Sequence, residues 1–260
     1  MRRHAIGAVA SLVMLIGLTS GCATLGFLES VDSLLKQGKE FYEAKRYDEA
    51  LAKFQEVIKR EPSSWLAYLY TARSYIGKGA WSPAVENGRK AFDLAPKGED
   101  VVVVFGEALI GGGRDSLVRG QFAEAISQLT EYVRLKPTDT HGYLALGRAY
   151  LVSGNYRDAL STVLSGLGQA GDGGAQKELT ATLLEGGRQS LQQGDLQSGI
   201  GFLKEYVRLD PSNVSAYLNL GKAYWQGGQR GEAVSAFRRV LELQPGHEEA
   251  LRFILGGQGR

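Results

Sequence analysis

An all-α array of six stacked helix–turn–helix repeats, closed by one further helix, is the fold class that this sequence predicts. Three observations carry it. Between Thr140 and Gly173, Tyr143, Leu146, Tyr150 and Leu151 recur at helical spacing; after a Gly154-Asn155 turn, Tyr156, Ala159, Leu160 and Val163 begin a second helix. That pattern returns in windows of about 34 residues, at 31–64, 65–98, 106–139, 140–173, 180–213 and 214–247. Each window also holds two small residues where crossing helices need room. The first of these is Gly38, Ala72, Gly113, Gly147, Gly187 or Gly221; the second is Ala50, Ala84, Ala125, Ala159, Gly199 or Ala233. One such hairpin has more apolar face than it can bury alone, so stacking is required.

Taken in order, residues 1–21 stand outside this fold. Arg2, Arg3 and His4 precede an apolar run from Ala5 to Leu18, which is shorter than the roughly 20 residues that span a bilayer and reads as a secretory signal. Leu18-Thr19-Ser20-Gly21-Cys22 then resembles the lipobox of bacterial lipoproteins, with Thr19 where leucine is more usual. The resemblance implies cleavage before Cys22 and acylation of that cysteine. Ala23 in place of aspartate implies sorting to the outer membrane in a Gram-negative cell, or to the cell membrane in a Gram-positive one. Cys22 is the single cysteine, so no intramolecular disulfide is possible. Residues 22–30 form a short tether, and Leu25, Phe27 and Leu28 are placed to extend the first helix.

The six windows from 31 to 247 follow. Pro62, Pro96, Pro137, Pro211 and Pro245 stop the second helix of five of them, and Gly171 does so in the fourth. With six matching small-residue pairs and these closing prolines, the chain resembles the tetratricopeptide repeat (TPR) family over nearly all of its length after Cys22. The resemblance implies a right-handed superhelical solenoid. A longer period overlies the short one: YVRLKPTD at 132–139 returns 74 residues later as YVRLDPSN, and GGGRDSL at 111–117 as EGGRQSL. Leu34, Leu109 and Leu183 open the odd repeats, whereas Tyr68, Tyr143 and Tyr217 open the even ones; Ser116 and Ser190 stand where even repeats carry Tyr75, Tyr150 and Tyr224. The inserts at 99–105 and 174–179, each close to two helical turns, are expected to lengthen the first helix of the third and fifth repeats. Val101 to Val104 has strand propensity but no partner strand. Residues 248–260 give a capping helix, with Leu251, Ile254 and Leu255 on the open end of the stack, and a frayed tail.

No catalytic constellation, cofactor motif or metal-ligand cluster emerges. His141 and His247 lack a cysteine, histidine or carboxylate set at ligand spacing. Gly111-Gly112-Gly113-Arg114 lacks the Gly-Lys-Ser/Thr of a phosphate loop, and Gly186-Gly187 repeats it, which favours close helix packing. The formal charge of +2 includes Arg2 and Arg3, so the chain from Cys22 onward carries 28 acidic and as many basic side chains. Nothing in that balance points to nucleic acid.

One column is informative. A basic residue follows every first small residue: Lys39, Arg73, Arg114, Arg148, Arg188 and Lys222. Four residues earlier stand Leu35, Leu69, Ile110, Leu144, Leu184 and Leu218; three later stand Tyr42, Ile76, Leu117, Leu151, Leu191 and Trp225. Such spacings share one helix face, and in the TPR family that face lines the concave groove. The expected site is therefore a basic ladder flanked by apolar rows, binding a protein segment with acidic and apolar residues. The bland reading is that these stems merely cover apolar surface. The asparagines of the family's carboxylate clamp are not matched. The expected function is a lipid-anchored scaffold at the periplasmic face of the outer membrane, serving assembly, secretion or pili. An adaptor for peptidoglycan hydrolases or synthases is the alternative. A carbohydrate-binding protein or enzyme using Trp65, Trp81 and Trp225 is the rival of another class.

Overall fold

Close approach of two helices within each repeat sets the architecture. The computed structural model describes residues 29–171 and 173–256. The expected signal segment, Cys22, the helical extension at Leu25 to Leu28 and the tail beyond 256 lie outside the described residues. Within them are thirteen α-helices and no strand. The first helices of the six repeats are α1 (Val31–Glu43), α3 (Trp65–Gly77), α5 (Glu99–Val118), α7 (Thr140–Val152), α9 (Gly173–Gln192) and α11 (Val214–Gln226). Their partners are α2 (Tyr47–Arg60), α4 (Trp81–Leu94), α6 (Phe122–Leu135), α8 (Tyr156–Gln169), α10 (Leu196–Leu209) and α12 (Arg230–Leu243), and α13 (Glu248–Gly256) closes the array. Each helix packs on the next in sequence, as an all-α solenoid requires.

All twelve small residues are buried. Their contacts refine the sequence reading, because the first glycine receives a large side chain rather than the second small residue. A Cβ on Gly38 would meet the Phe54 ring at 2.5 Å, on Gly113 Leu129 at 2.6 Å, on Gly147 Val163 at 2.8 Å, on Gly187 Leu203 at 2.8 Å, and on Gly221 Phe237 at 2.6 Å. In every case the filler lies 16 residues after the glycine. The second repeat departs from this: Gly88 stands 16 residues after Ala72, and Phe105 from the next repeat comes within 3.1 Å of where a Gly88 Cβ would lie.

The turn between the helices of a repeat is one motif used six times. Lys45, Gly79, Gly120, Gly154, Gly194 and Gly228 all have positive φ, between 57° and 82°. The next backbone N–H closes on the carbonyl five residues back, as in Arg46 to Phe41 at 2.8 Å and Asn155 to Tyr150 at 2.9 Å. This is the glycine-centred helix stop, and Lys45 alone occupies it with a side chain.

Both 20-residue helices, α5 and α9, owe their length to the inserts. Val101, Val104 and Phe105 are buried on the added turns of α5, which is why the valine run is helical here. Further along α5, Gly111 lies against Trp81, Gly112 against Gln128 and Val85, and Gly113 against Leu129. Four neighbours thus press on three consecutive positions of one helix, and the glycines serve close packing.

The cap corrects one expectation. Leu251 and Leu255 point outward, the latter 66% exposed. Ala250 is fully buried instead, and Phe253 stacks on Phe237 with ring centroids 4.5 Å apart. Only Ile254 of the expected trio packs on the last core cluster. The helix is rotated by about one residue because the flat Phe237 ring offers Phe253 more contact than leucine would gain.

Replacing Gly38 by alanine tests the crossing rule. The new Cβ must displace the fully buried Phe54, at a cost of about 1–3 kcal/mol, despite alanine's helix propensity. The expected result is a lower thermal midpoint, and an unchanged melt would refute the packing register.

Candidate binding groove

Consecutive first helices approach one another at every step from α1 to α11, whereas among the second helices α8 and α10 stand out as neighbours. The layer whose members lie closer together is the inside of the bend, so α1, α3, α5, α7, α9 and α11 line the concave side. The basic column follows this layer. Arg114, Arg148 and Arg188 are exposed, and Lys39, Arg73 and Lys222 are half-buried.

The structure corrects the flanking rows. Leu144 and Leu151 are buried in one apolar cluster with Leu179, Leu183 and Phe202. They face the following repeat because α9 starts two turns early and lies along α7. Leu191 is half-buried where it crosses Gly199. Trp225 is covered on one side by Phe253, at 5.3 Å between centroids, and on the other by the Arg230 guanidinium 3.7 Å from its ring centre. These rows cement repeats together, so the open groove is more polar than the sequence suggests. Trp65 and Trp81 start the two helices of the second repeat and Trp225 lies in the sixth, so the three do not assemble.

The ladder also has partners that the sequence reading missed. Arg73 lies 3.5 Å from Asp100, Arg148 3.8 Å from Glu178, and Lys222 2.6 Å from Glu249. Each acid stands in the first turns of the next inner helix. Arg188 pairs with Glu185 of its own helix at 2.8 Å, while Lys39 and Arg73 both approach the Tyr70 ring, at 5.1 and 5.2 Å. The signal was legible, since the acids of the inserts are visible in the sequence, but their reach across the groove was not.

A cleft of about 780 Å³ opens between α9 and α11 above the end of α10. Leu184, Ala181 and Leu209 give it an apolar floor, and Lys177, Arg188, Asp210, Ser215 and Asn219 a polar rim. At its base the Tyr206 hydroxyl donates to Asp210 at 3.1 Å and accepts from Asn213 at 2.9 Å, and Asn213 caps α11 through the Ala216 N–H. The Ser212 hydroxyl, 2.7 Å away, and then Tyr206 hold the Asp210 carboxyl below the usual range. One period earlier, Tyr132 donates to Asp139, which caps α7 through the His141 N–H at 2.9 Å. Burial disfavours the Asp139 carboxylate, but the bonds from Tyr132 and His141 outweigh it and lower its pKa. Burial and then Asp139 push the Tyr132 hydroxyl well up. The repeated YVRL segments are therefore latches that fix the loop between repeats.

Among the described residues no group of three or more His, Cys, Asp or Glu is placed to hold a metal, and no helix is long and apolar enough to cross a membrane. The described residues thus form a concave helical surface with a charged column and a shallow cleft. Tetratricopeptide repeat signatures match residues 35–99, 117–183 and 190–254. The chain belongs to the tetratricopeptide repeat family, whose arrays generally mediate protein–protein interaction. It is 22% identical over 251 residues to DnaJ homolog subfamily C member 3 of Gallus gallus, which covers 93% of this chain and 48% of that protein. It is 30% identical over 169 residues to TPR repeat-containing protein YpiA of Bacillus subtilis, covering 65% and 37% respectively. The chain thus spans about half or less of the length of these relatives. Among solved structures, Naa15/Naa10 bound to HypK-THB shares the fold at a TM-score of 0.53 and 15% identity, over 89% of this chain and 34% of that one.

Tyr132→Phe removes one latch. The depressed Asp139 carboxyl contributes stability above about pH 4 that is lost as pH falls through its folded value, and the raised tyrosine contributes stability below about pH 10 that is lost at higher pH. The variant should lose about 1 kcal/mol near neutral pH and show a flatter stability decline on acidification. Urea titrations at pH 7 and pH 3 measure both effects, and parallel declines would contradict the latch.

Proposed function

We propose that this protein is a lipid-anchored scaffold at the periplasmic face of the outer membrane that holds a partner protein in its concave groove. The observation that carries the reading is the cleft between α9 and α11, where Arg188 of the basic column meets an apolar floor. The cleft is open and shallow, which suits an extended polypeptide better than a small molecule. Exposed Arg114 continues the cationic surface, which favours a partner segment bearing acidic and apolar residues. Support for the membrane assignment is the apolar run that ends at Cys22. An acyl chain contributes roughly 0.8 kcal/mol per buried methylene, so more than one chain on that cysteine suffices for stable attachment.

Two experiments test the parts separately. Cys22→Ser should release a folded array from the membrane fraction; persistence there would assign the anchor elsewhere. Reversal of Arg114, Arg148 and Arg188 to Glu should leave helicity intact and abolish capture of partners from solubilised membranes, followed by mass spectrometry. Lys204→Glu with Arg238→Glu on the second helices is the control. Loss of partners from the control alone would move the site to the convex side.

A further inference from the structure

The basic column is not uniform, and its division follows the 74-residue period. Arg73, Arg148 and Lys222, the members in even repeats, each lie beside an acid of the next inner helix. Those acids are within reach because α5 and α9 start two turns early, and because α13 follows α11. Such a pair is already neutralised and spans two repeats. Of the three odd members, Lys39 is half-buried against the Tyr70 ring, while Arg114 and Arg188 differ: no ion pair joins Arg114 to a carboxylate among the described residues, and Arg188 is held only by Glu185 three residues before it. Both are exposed, Arg188 by 62% along its side chain. One turn beyond Arg114 and Arg148, on the same helix faces, stand Val118 on α5 and Val152 on α7, 87% and 59% exposed.

We propose that the even cations are inter-repeat ties, and that Arg114 and Arg188 are the two anchors for an extended segment with two acidic side chains and an apolar stretch between them. The inference rests on the groove reading above and adds the residues and the spacing. From α5 to α9 is two steps between packed helices, about 16–20 Å in all. An extended chain covers that span in roughly five or six residues. Val118 and Val152 then meet the intervening apolar side chains, and the ligand's charges find cations that no repeat junction uses. Glu178 and Glu185 line the same surface, so a segment with acids at every position would meet repulsion.

The test uses the full chain purified in detergent and fluorescein-labelled synthetic peptides, each with two glutamates separated by two, five or eight residues of valine and leucine. A peptide with lysines in place of the glutamates completes the series, and anisotropy reads the affinities. Tightest binding is expected at the five-residue separation, weakening with salt. Arg114→Gln with Arg188→Gln should lower that affinity at least tenfold, and Arg73→Gln with Lys222→Gln less than threefold, with far-UV dichroism confirming the fold of both. Equal losses in the two pairs, or affinity independent of separation, would overturn the division while leaving the groove reading in place. Absence of binding by every acidic peptide, or equal binding of the lysine peptide, would overturn both.

Discussion

Everything in this molecule depends on how closely the two helices of a repeat can approach. In five of the six repeats a glycine on one helix and a large apolar residue on the other fix that distance, and the partner lies 16 positions along. Because the crossing recurs, each hairpin presents a similar outer shape to the next. Stacking is then a repeated nearest-neighbour contact, and stability accumulates along the array without a central core. The second repeat departs from the rule: Gly88 stands 16 positions after Ala72, and the ring of Phe105 arrives from the next repeat to lie against it.

Most of the fold was legible from this periodicity, because packing at a repeated crossing leaves a mark on every copy. The helices, their turns and the lengthening of α5 and α9 all follow from local pattern and spacing. The site was legible only in part. Side chains at one helix position share a direction, so the basic column was visible; whether a neighbour covers them depends on the next repeat's offset. Leu144 and Leu151 look identical to groove residues in sequence, yet the early start of α9 buries them. Phe253 displaced Leu251 and Leu255 at the cap for a similar reason, since ring stacking against Phe237 has no periodic signature.

The two long helices link architecture to recognition. Their added turns bury apolar residues, and that burial is enough to retain them. Acids on those added turns, Asp100 and Glu178, then neutralise the cation behind them, so a feature that serves packing also edits the electrostatics of the concave surface. The Tyr132–Asp139 and Tyr206–Asp210 latches act at the alternate junctions, those entering α7 and α11, holding the loops that set the next helix's direction. A groove built this way is stiff, which lowers the ordering cost that a partner must offset.

The alternation has a further consequence for how such a chain can change length. Two kinds of seam occur in it, one entering a short inner helix and one entering a long one, and they strictly alternate. Residues 106–179 begin and end at the same point of the long seam, so their excision joins the start of α5 to the body of α9 without creating a third kind. Removing a single window instead would bring mismatched seams together. The natural unit of growth and loss is the pair, and any ladder of binding residues lengthens in steps of two.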